Sequence, residues 1–514
     1  MTILLPGFHT FRYPAKLLLP ASLALACLAG HGWDLVAQSS RRRIVRTVAV
    51  LCCLSLMLLP VLFTCQNGIV AMFERSAELG RSAFGPLDVA ATVGGIRAAV
   101  IHGTVVLAAV LLALTLYQRH TLIYSACFVI GMGADLILAN RYSIITVPQE
   151  VFDSKPKVLK IIEAAEASDP SKGPFRVHRM SWSPSLWSME PSKKRPEEIV
   201  RWDRDTLRVK YAVPLGIAYT LAMGTAEVLD HILFFGFKRF RLEDKLTRKF
   251  GLKAGQEFVY YTRRSFDLWN TRYFILPNRL AINSRHRGFL SFLPDSTELY
   301  PGQSSALPRV ASNERRRLLI EEDLQVLRNE AAFPRAWIVH EVKCLPELTG
   351  MDIADRATIT DDLVYHDDDL WHVAGKPVAD LRRVAWIETD QPEEIRTVLR
   401  SARASSAESV LVKQYESQRV VLEAKLESVG IVVLADVFYP GWELRVDGEV
   451  RPIYRTNRAM RGALVGAGTH TLTYEYKPRS VWIGAGLSVV GLLILIVGFG
   501  VSRFGTKSRY MLTI

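Results

Sequence analysis

Between Val481 and Ser502 the chain carries no ionisable residue, a run long enough to cross the hydrocarbon core of a bilayer as a helix of about 20 residues. The stretch before it has the opposite character. Asp436-Val-Phe-Tyr-Pro-Gly-Trp442, the turn Asp447-Gly448 and the run Ala467 to Pro478 alternate apolar and polar residues between tight-turn signals, as short antiparallel strands do. A folded β module is therefore tethered directly to a membrane span.

Composition fits a chain divided between lipid and water. Hydrophobic residues make up 49% of it, yet 22% are charged, too many for spanning helices alone. Mean hydropathy is +0.14. The apolar runs lie before residue 140 and after 480, which leaves a water-soluble region between them large enough for two domains. Net charge is +13, for which anionic lipid headgroups are the simplest partner. No basic and aromatic module of the nucleic-acid-binding kind is present. Cys27, Cys52, Cys53, Cys65 and Cys127 fall in apolar segments and Cys344 stands apart, so neither a disulfide framework nor a CxxC metal site is expected.

Four apolar segments open the chain, at 17–36, 48–70, 98–117 and 121–140, and with 481–502 they predict five spans and termini on opposite faces. Placing Arg41, Arg42, Arg43, Arg46, Arg119, Arg503, Lys507 and Arg509 in the cytoplasm satisfies the positive-inside tendency. The inverse would put Arg12, Lys16, Arg75, Arg81 and Arg97 there. The preferred orientation sets residues 145–480 outside the cytoplasm and 503–514 inside. Ala24-Leu25-Ala26-Cys27 resembles a lipoprotein cleavage box, but its leucine sits one place late and His31, Trp33 and Asp34 follow as at a membrane exit. The apolar run within 211–237 is interrupted by Glu227, Asp230 and His231 and reads as soluble core.

The soluble region predicts an α+β domain over 145–407 and a separate β-sandwich over 408–478. Helical spacing marks 155–167, and Phe175 to Arg179 begins a strand. Trp182 to Glu197, with its prolines, reads as an exposed loop, and Ser312 caps a predicted amphipathic helix through Ala332 carrying Leu318, Leu319, Leu324 and Leu327. Strands are expected at 336–342 and 383–387, and a short helix from Pro392 to about Ala402. In the sandwich, Val410 and Val412, Val420 and Leu422, Val432 and Leu434, and Leu444 and Val446 mark one buried face.

Several residues carry candidate chemistry. Trp442 is either a stacking platform for a sugar or a bulky closure of the sandwich at a bend. Arg455, Asn457, Arg458 and Arg461 either face a phosphate, a headgroup or a glycan, or form a solvated strand edge. Asp135 and His102 are ionisable groups inside predicted spans, where such groups are paired or functional. Asp361, Asp362, His366, Asp367, Asp368, Asp369 and His372 gather hard ligands without EF-hand spacing and read as a solvated acidic turn, so no metal is expected.

Taken together, Pro6-Gly-Phe-His-Thr-Phe-Arg-Tyr-Pro-Ala-Lys16, Ala134 to Asn140, Leu268 to Ile275, Arg335-Ala-Trp-Ile-Val-His340 and Tyr439-Pro-Gly-Trp442 to Pro478 resemble the YfhO family of bacterial membrane proteins. The resemblance runs over nearly the whole chain. It implies a likeness to GT-C-type glycosyltransferases, multi-pass proteins of the bacterial cytoplasmic membrane that take a sugar from a polyprenyl phosphate on its outer face and decorate envelope polymers. The donor would be a polyprenyl-phosphate sugar, with no other cofactor. Arg12, Tyr13 and Lys16 are then candidates for the carrier phosphate; as interfacial anchors they need no ligand. The family's early helices and their acidic loop have no counterpart in this chain. The catalytic base is therefore unassigned, and two readings stand: part of a transferase system, or a non-catalytic anchored subunit that binds glycan or a partner subunit.

Overall fold

The computed structural model describes residues 22–28, 30–31, 41–77, 88–116, 121–140, 146–168, 173–180, 192, 194–221, 228–235, 238–241, 257–260, 263–277, 296–301, 324–348, 350–364 and 380–509. They form two compact units, 1–148 with 185–198, and 149–184 with 199–514.

The first unit is built on long apolar helices. Arg41–Thr64 packs against Val89–Leu116, which also meets Thr121–Asn140. Ser55 and Thr104 join their hydroxyls between the first two helices at 2.5 Å, and because Thr104 donates to the Val100 carbonyl, Ser55 is the donor in that pair. Among the described residues, three helices are long and apolar enough to cross a membrane: Arg42–Thr64, Val89–Thr115 and, in the second unit, Arg479–Gly498. The last buries none of its length against protein, as befits a helix surrounded by lipid.

The spans differ in detail from the five expected. The segment predicted over 48–70 begins earlier and breaks at the turn of Cys65, after which Gln66–Ala77 forms a separate helix. The segment predicted from 98 starts at Val89, which carries Arg97 into the helix, its guanidinium 4.7 Å over the Phe63 ring. Thr121–Asn140 is helical as expected, with an apolar stretch at Val129–Leu138. Of the segment 17–36 only 22–28 and 30–31 are described, and they are helical.

The second unit has three larger sheets among its described residues, besides a two-stranded one formed by Lys238–Arg241 and Glu257–Tyr260. The first has the strand order Ala218–Tyr219, Arg176–Arg179, Thr271–Pro277, Leu324–Asn329, Ser296–Tyr300, with parallel pairing among the first three. Thr271–Pro277 is buried on both faces. Tyr273 and Ile275 pack with Val158 and Ile162 of the helix Lys157–Ala167, while Phe274 and Leu276 join an aromatic core with Trp269, Trp337 and Trp386. The second sheet has the order Ala336–Val339, Gly430–Leu434, Met460–Val465, Tyr454–Thr456, Val384–Glu388, Glu341–Leu345. Its Ile431 and Val433 face that aromatic core, and its Val432 and Leu434 face the third sheet. The third sheet, Ser409–Tyr415, Arg419–Leu426, Gly468–Tyr476, Trp442–Val446, Glu449–Arg451, is antiparallel throughout. Its Val420, Leu422 and Leu444 close the second core with Val410, Val412 and Val446 beside them, the face marked by alternation.

Three expectations are corrected here. The sandwich is not separate from the preceding residues: Ala336–Val339 and Val384–Glu388 are hydrogen-bonded into its second sheet, so a boundary at 408 cuts through a ladder. Leu324–Asn329, expected in a helix, is a strand between two partners; burial on both faces removes strand alternation and leaves a spacing that imitates a helix. The residues 312–323 lie outside the described ones. The expected loop 182–197 contains the start of the helix Arg195–Asp205, where Pro196 in the first turn loses no hydrogen bond; 181–191 lie outside the described residues. The run 211–237 forms short elements rather than one span where it is described, with Asp230, His231 and Phe234 buried.

Candidate functional site

The membrane-tethered end of the sandwich is set by Gly441. Its φ of +104° belongs to the left-handed region, and a Cβ there would press on the Tyr476 ring and Pro478 at 3.0–3.1 Å. Glycine thus lets the chain turn under Tyr476 and start the strand with Trp442, whose ring tilts against Tyr476 at 5.3 Å. At the strand's far end Asp447 and Gly448, both at positive φ, make the two-residue hairpin turn.

Around Trp442 lie two cavities. The larger, about 660 Å³, is walled by Tyr439, Trp442, Ile453 and Pro478, with Arg451, Lys477 and Arg479 on it. Its edge is the first turn of the terminal span. The smaller, about 370 Å³, is lined among others by Arg176, Tyr219, His231, Trp269, Asp436 and Arg461. Trp442 and Arg461 line both. Trp442 closes the sandwich at its bend and also borders both cavities. One part of it packs on the sandwich core and the rest faces cavity.

Asp436 is the centre of the smaller cavity's wall. It leaves the buried strand Gly430–Leu434 and is 6% exposed. One of its oxygens accepts from Arg176, from Arg335 at 3.5 Å and from the Tyr415 hydroxyl at 3.0 Å. Arg176 also donates to the carbonyls of Trp269 and Ala435. Arg461 donates from Nε to the Val437 carbonyl at 3.0 Å and lays its guanidinium 3.7 Å over Trp442. Its Nη1 is buried without an acceptor. Burial alone would raise the Asp436 carboxyl; Arg176, Arg335 and Arg461 overcome that and hold it below the usual carboxylate range. The same burial pulls the Arg335 guanidinium down to about 10, with Arg176 adding to the effect. His231 is lowered to about 4, by burial first and then by Arg176.

Arg455 and Arg458, expected at a glycan or phosphate contact or on a solvated edge, are neither. Arg458 is 1% exposed and binds Asp230 at 2.8 Å and also Glu388. Arg455 bonds Asp230 at 2.7 Å, and Arg356 bonds the same carboxylate at 2.5 Å. Asn457, at positive φ, extends the sheet by pairing its backbone N–H and side-chain oxygen with Trp386. These residues lock the helices Leu229–Phe234 and Ile353–Val364 onto the second sheet. Of the predicted group, Arg461 lines both of these cavities and the other three residues line neither.

Within the first unit, His102 Nε2 and Asp135 Oδ1 meet at 2.6 Å. Two residues singled out separately are thus partners across two helices. Arg12, Tyr13 and Lys16 lie outside the described residues, as do His366, Asp367, Asp368, Asp369 and His372; Asp361 and Asp362 sit on the helix Ile353–Val364. Arg176 and Arg335 were not anticipated. The available signal was a charged residue inside an apolar, strand-like run, which burial obliges to find a partner.

No family model matches the chain, and neither a curated protein nor a solved structure matches it.

Proposed function

We propose that this is a YfhO-like protein of the bacterial cytoplasmic membrane, working in the transfer of lipid-linked sugars to envelope acceptors on the outer face, and that its soluble unit recognises the sugar-bearing substrate. The observation that carries the reading is the larger cavity. Tyr439 and Trp442 line it together with Arg451, Lys477 and Arg479, the last in the first turn of a helix long and apolar enough to span a membrane. Aromatic rings pack on the apolar faces of sugars, cations hold phosphate, and a site at the start of a span lies at headgroup level. A lipid-linked sugar needs all three together.

One observation favours the second reading, an anchored recognition subunit without transferase activity of its own. The buried carboxylate Asp436 is engaged by guanidinia that hold it below the usual carboxylate range, which makes it a poor acceptor for the proton of a hydroxyl. The test is saturable binding of a polyprenyl-phosphate sugar to the full-length protein in nanodiscs, followed by transfer to an envelope acceptor. Binding that Trp442→Ala weakens by about tenfold supports recognition. Transfer then separates the two readings. Absence of saturable binding, or binding indifferent to Trp442→Ala, rejects both.

A further inference from the structure

The smaller cavity has a charge imbalance among the described residues. Arg176, Arg335 and Arg461 are 5%, 1% and 4% exposed, and the one buried carboxylate described among them is Asp436. Two positive charges are therefore in excess in a place where unpaired charge is costly. The cavity's other acid, Glu416, is exposed on its rim and accepts from Gln414 at 2.7 Å. Arg176 donates to two carbonyls and Asp436. Arg461 lines the cavity with its guanidinium fixed by Val437 and Trp442, and its buried Nη1 has no acceptor among the described residues.

We infer that this cavity is a binding site for a phosphate-class oxyanion, held by Arg461 with Arg176 behind it, while Trp442, Trp269 and Tyr219 cover the body that carries the anion. Three arguments fix the ligand class. A phosphate monoester carries close to the missing charge at neutral pH, about −1.5 to −2. A guanidinium on the cavity wall offers the planar donor fork that such an oxygen accepts from. The volume of about 370 Å³ exceeds what a bare phosphate fills, so there is room for a ring or chain against the aromatic wall. The exposed residues Tyr415, Glu416 and Ser417 at the rim open the way to solvent. The inference does not rest on sugar transfer. It requires only that an oxyanion reach the site, either free in solution or as part of a lipid headgroup.

The experiment is thermal unfolding of the full-length protein in nanodiscs of neutral phosphatidylcholine, titrated with inorganic phosphate at constant ionic strength, and repeated without phosphate in discs containing phosphatidic acid. Stabilisation by inorganic phosphate that weakens by about tenfold in Arg461→Gln and persists in the surface control Arg419→Gln supports the site and assigns a soluble source. A response to phosphatidic acid alone, with the same dependence on Arg461, supports it with a lipid source. No response to either, or an equal response in Arg461→Gln, overturns it. Should Arg461→Gln not fold, Arg461→Lys keeps the charge, loses the planar fork and is read by the same criteria. Because no sugar is present, failure here leaves the sugar-binding test standing, and the reverse also holds.

Discussion

The second unit contains two buried arginine clusters that differ by one carboxylate. Around Asp230 and Glu388, three arginines face two acids. The groups come from helices, strand and turn, and Arg458 Nε donates to the Thr360 hydroxyl at 3.1 Å. Around Asp436, three arginines face one acid, and two of them, Arg176 and Arg461, line a cavity. Arg356 in the first cluster and Arg335 in the second each leave an Nε without acceptor, so a stray donor alone does not mark a ligand site. What marks the second cluster is the missing acid together with two of its guanidinium side chains, Arg176 and Arg461, on a cavity wall. The first ties elements together, and the second awaits a counter-charge.

The sharpest way to break this comparison is to remove the central acid of each cluster. Asp230→Asn strands three guanidinia beside a single remaining carboxylate, and Asp436→Asn strands three with none, so each change is expected to destabilise by about 3–5 kcal/mol. Chemical denaturation of the full-length protein checks the size of the loss. The two variants should then part company: phosphate restores stability to Asp436→Asn by entering the cavity, and does nothing for Asp230→Asn. Equal rescue of both would mean that phosphate acts on the surface at large and that the clusters do not differ in kind.

The cluster geometry also explains what could be read from the sequence. The sandwich face was legible because Val420, Leu422 and Leu444 border a single core and their neighbours face water, so period-2 alternation survives. Strands buried on both faces lose that signal. Gly430–Leu434 remains recognisable through its β-branched run, whereas Leu324–Asn329, leucine-rich, mimics a helix. Arg455, Arg458 and Arg461 look alike along the chain, spaced along two adjacent strands and the turn between them. Their fates diverge through partners that sequence spacing does not bring near: Asp230 lies in a distant helix, and Arg176 and Arg335 arrive from other strands and loops. Asp135 and His102 could each be picked out as costly in lipid, but only helix packing makes them a pair.

The pH dependence of stability gives a smaller effect that sharpens the same contrast. His178, packed against Phe266 and Phe274, is lowered by burial to about 3, and His231 is lowered to about 4. In the unfolded chain both titrate near 6.5. As pH falls below that value the unfolded state takes up protons that the folded state refuses, so stability drops by about 1.4 kcal/mol per pH unit for each histidine, down to the folded value of each. Part of the His231 shift comes from Arg176, whose charge a bound oxyanion offsets. Thermal unfolding across pH 4 to 6.5 should therefore show a gentler acid slope with sulfate, an oxyanion that stays doubly charged over this range, than without it, while His178→Phe flattens the slope in both conditions. A slope unmoved by sulfate would cut the link between His231 and the cavity.

The smallest expected effect lies in the first unit, where His102 and Asp135 pair with 42% and 31% of their side chains facing away from protein. A polar pair in lipid gains little from association because each partner finds other donors or acceptors when the helices separate; interhelical hydrogen bonds average about 0.6 kcal/mol and reach about 1.7. Asp135→Asn keeps a hydrogen-bonding group and should cost less than 1 kcal/mol (about half that on average), and Asp135→Leu about 1 kcal/mol or less, because its lost bond is offset by better lipid solvation. Unfolding in mixed micelles with increasing denaturing detergent measures both. A cost of several kcal/mol would make the pair a structural clasp like the Asp230 cluster. A small cost accompanied by loss of transfer in membranes would instead place it with the Asp436 cluster, as a charge arrangement whose stability contribution is minor and whose use lies in what it binds or moves.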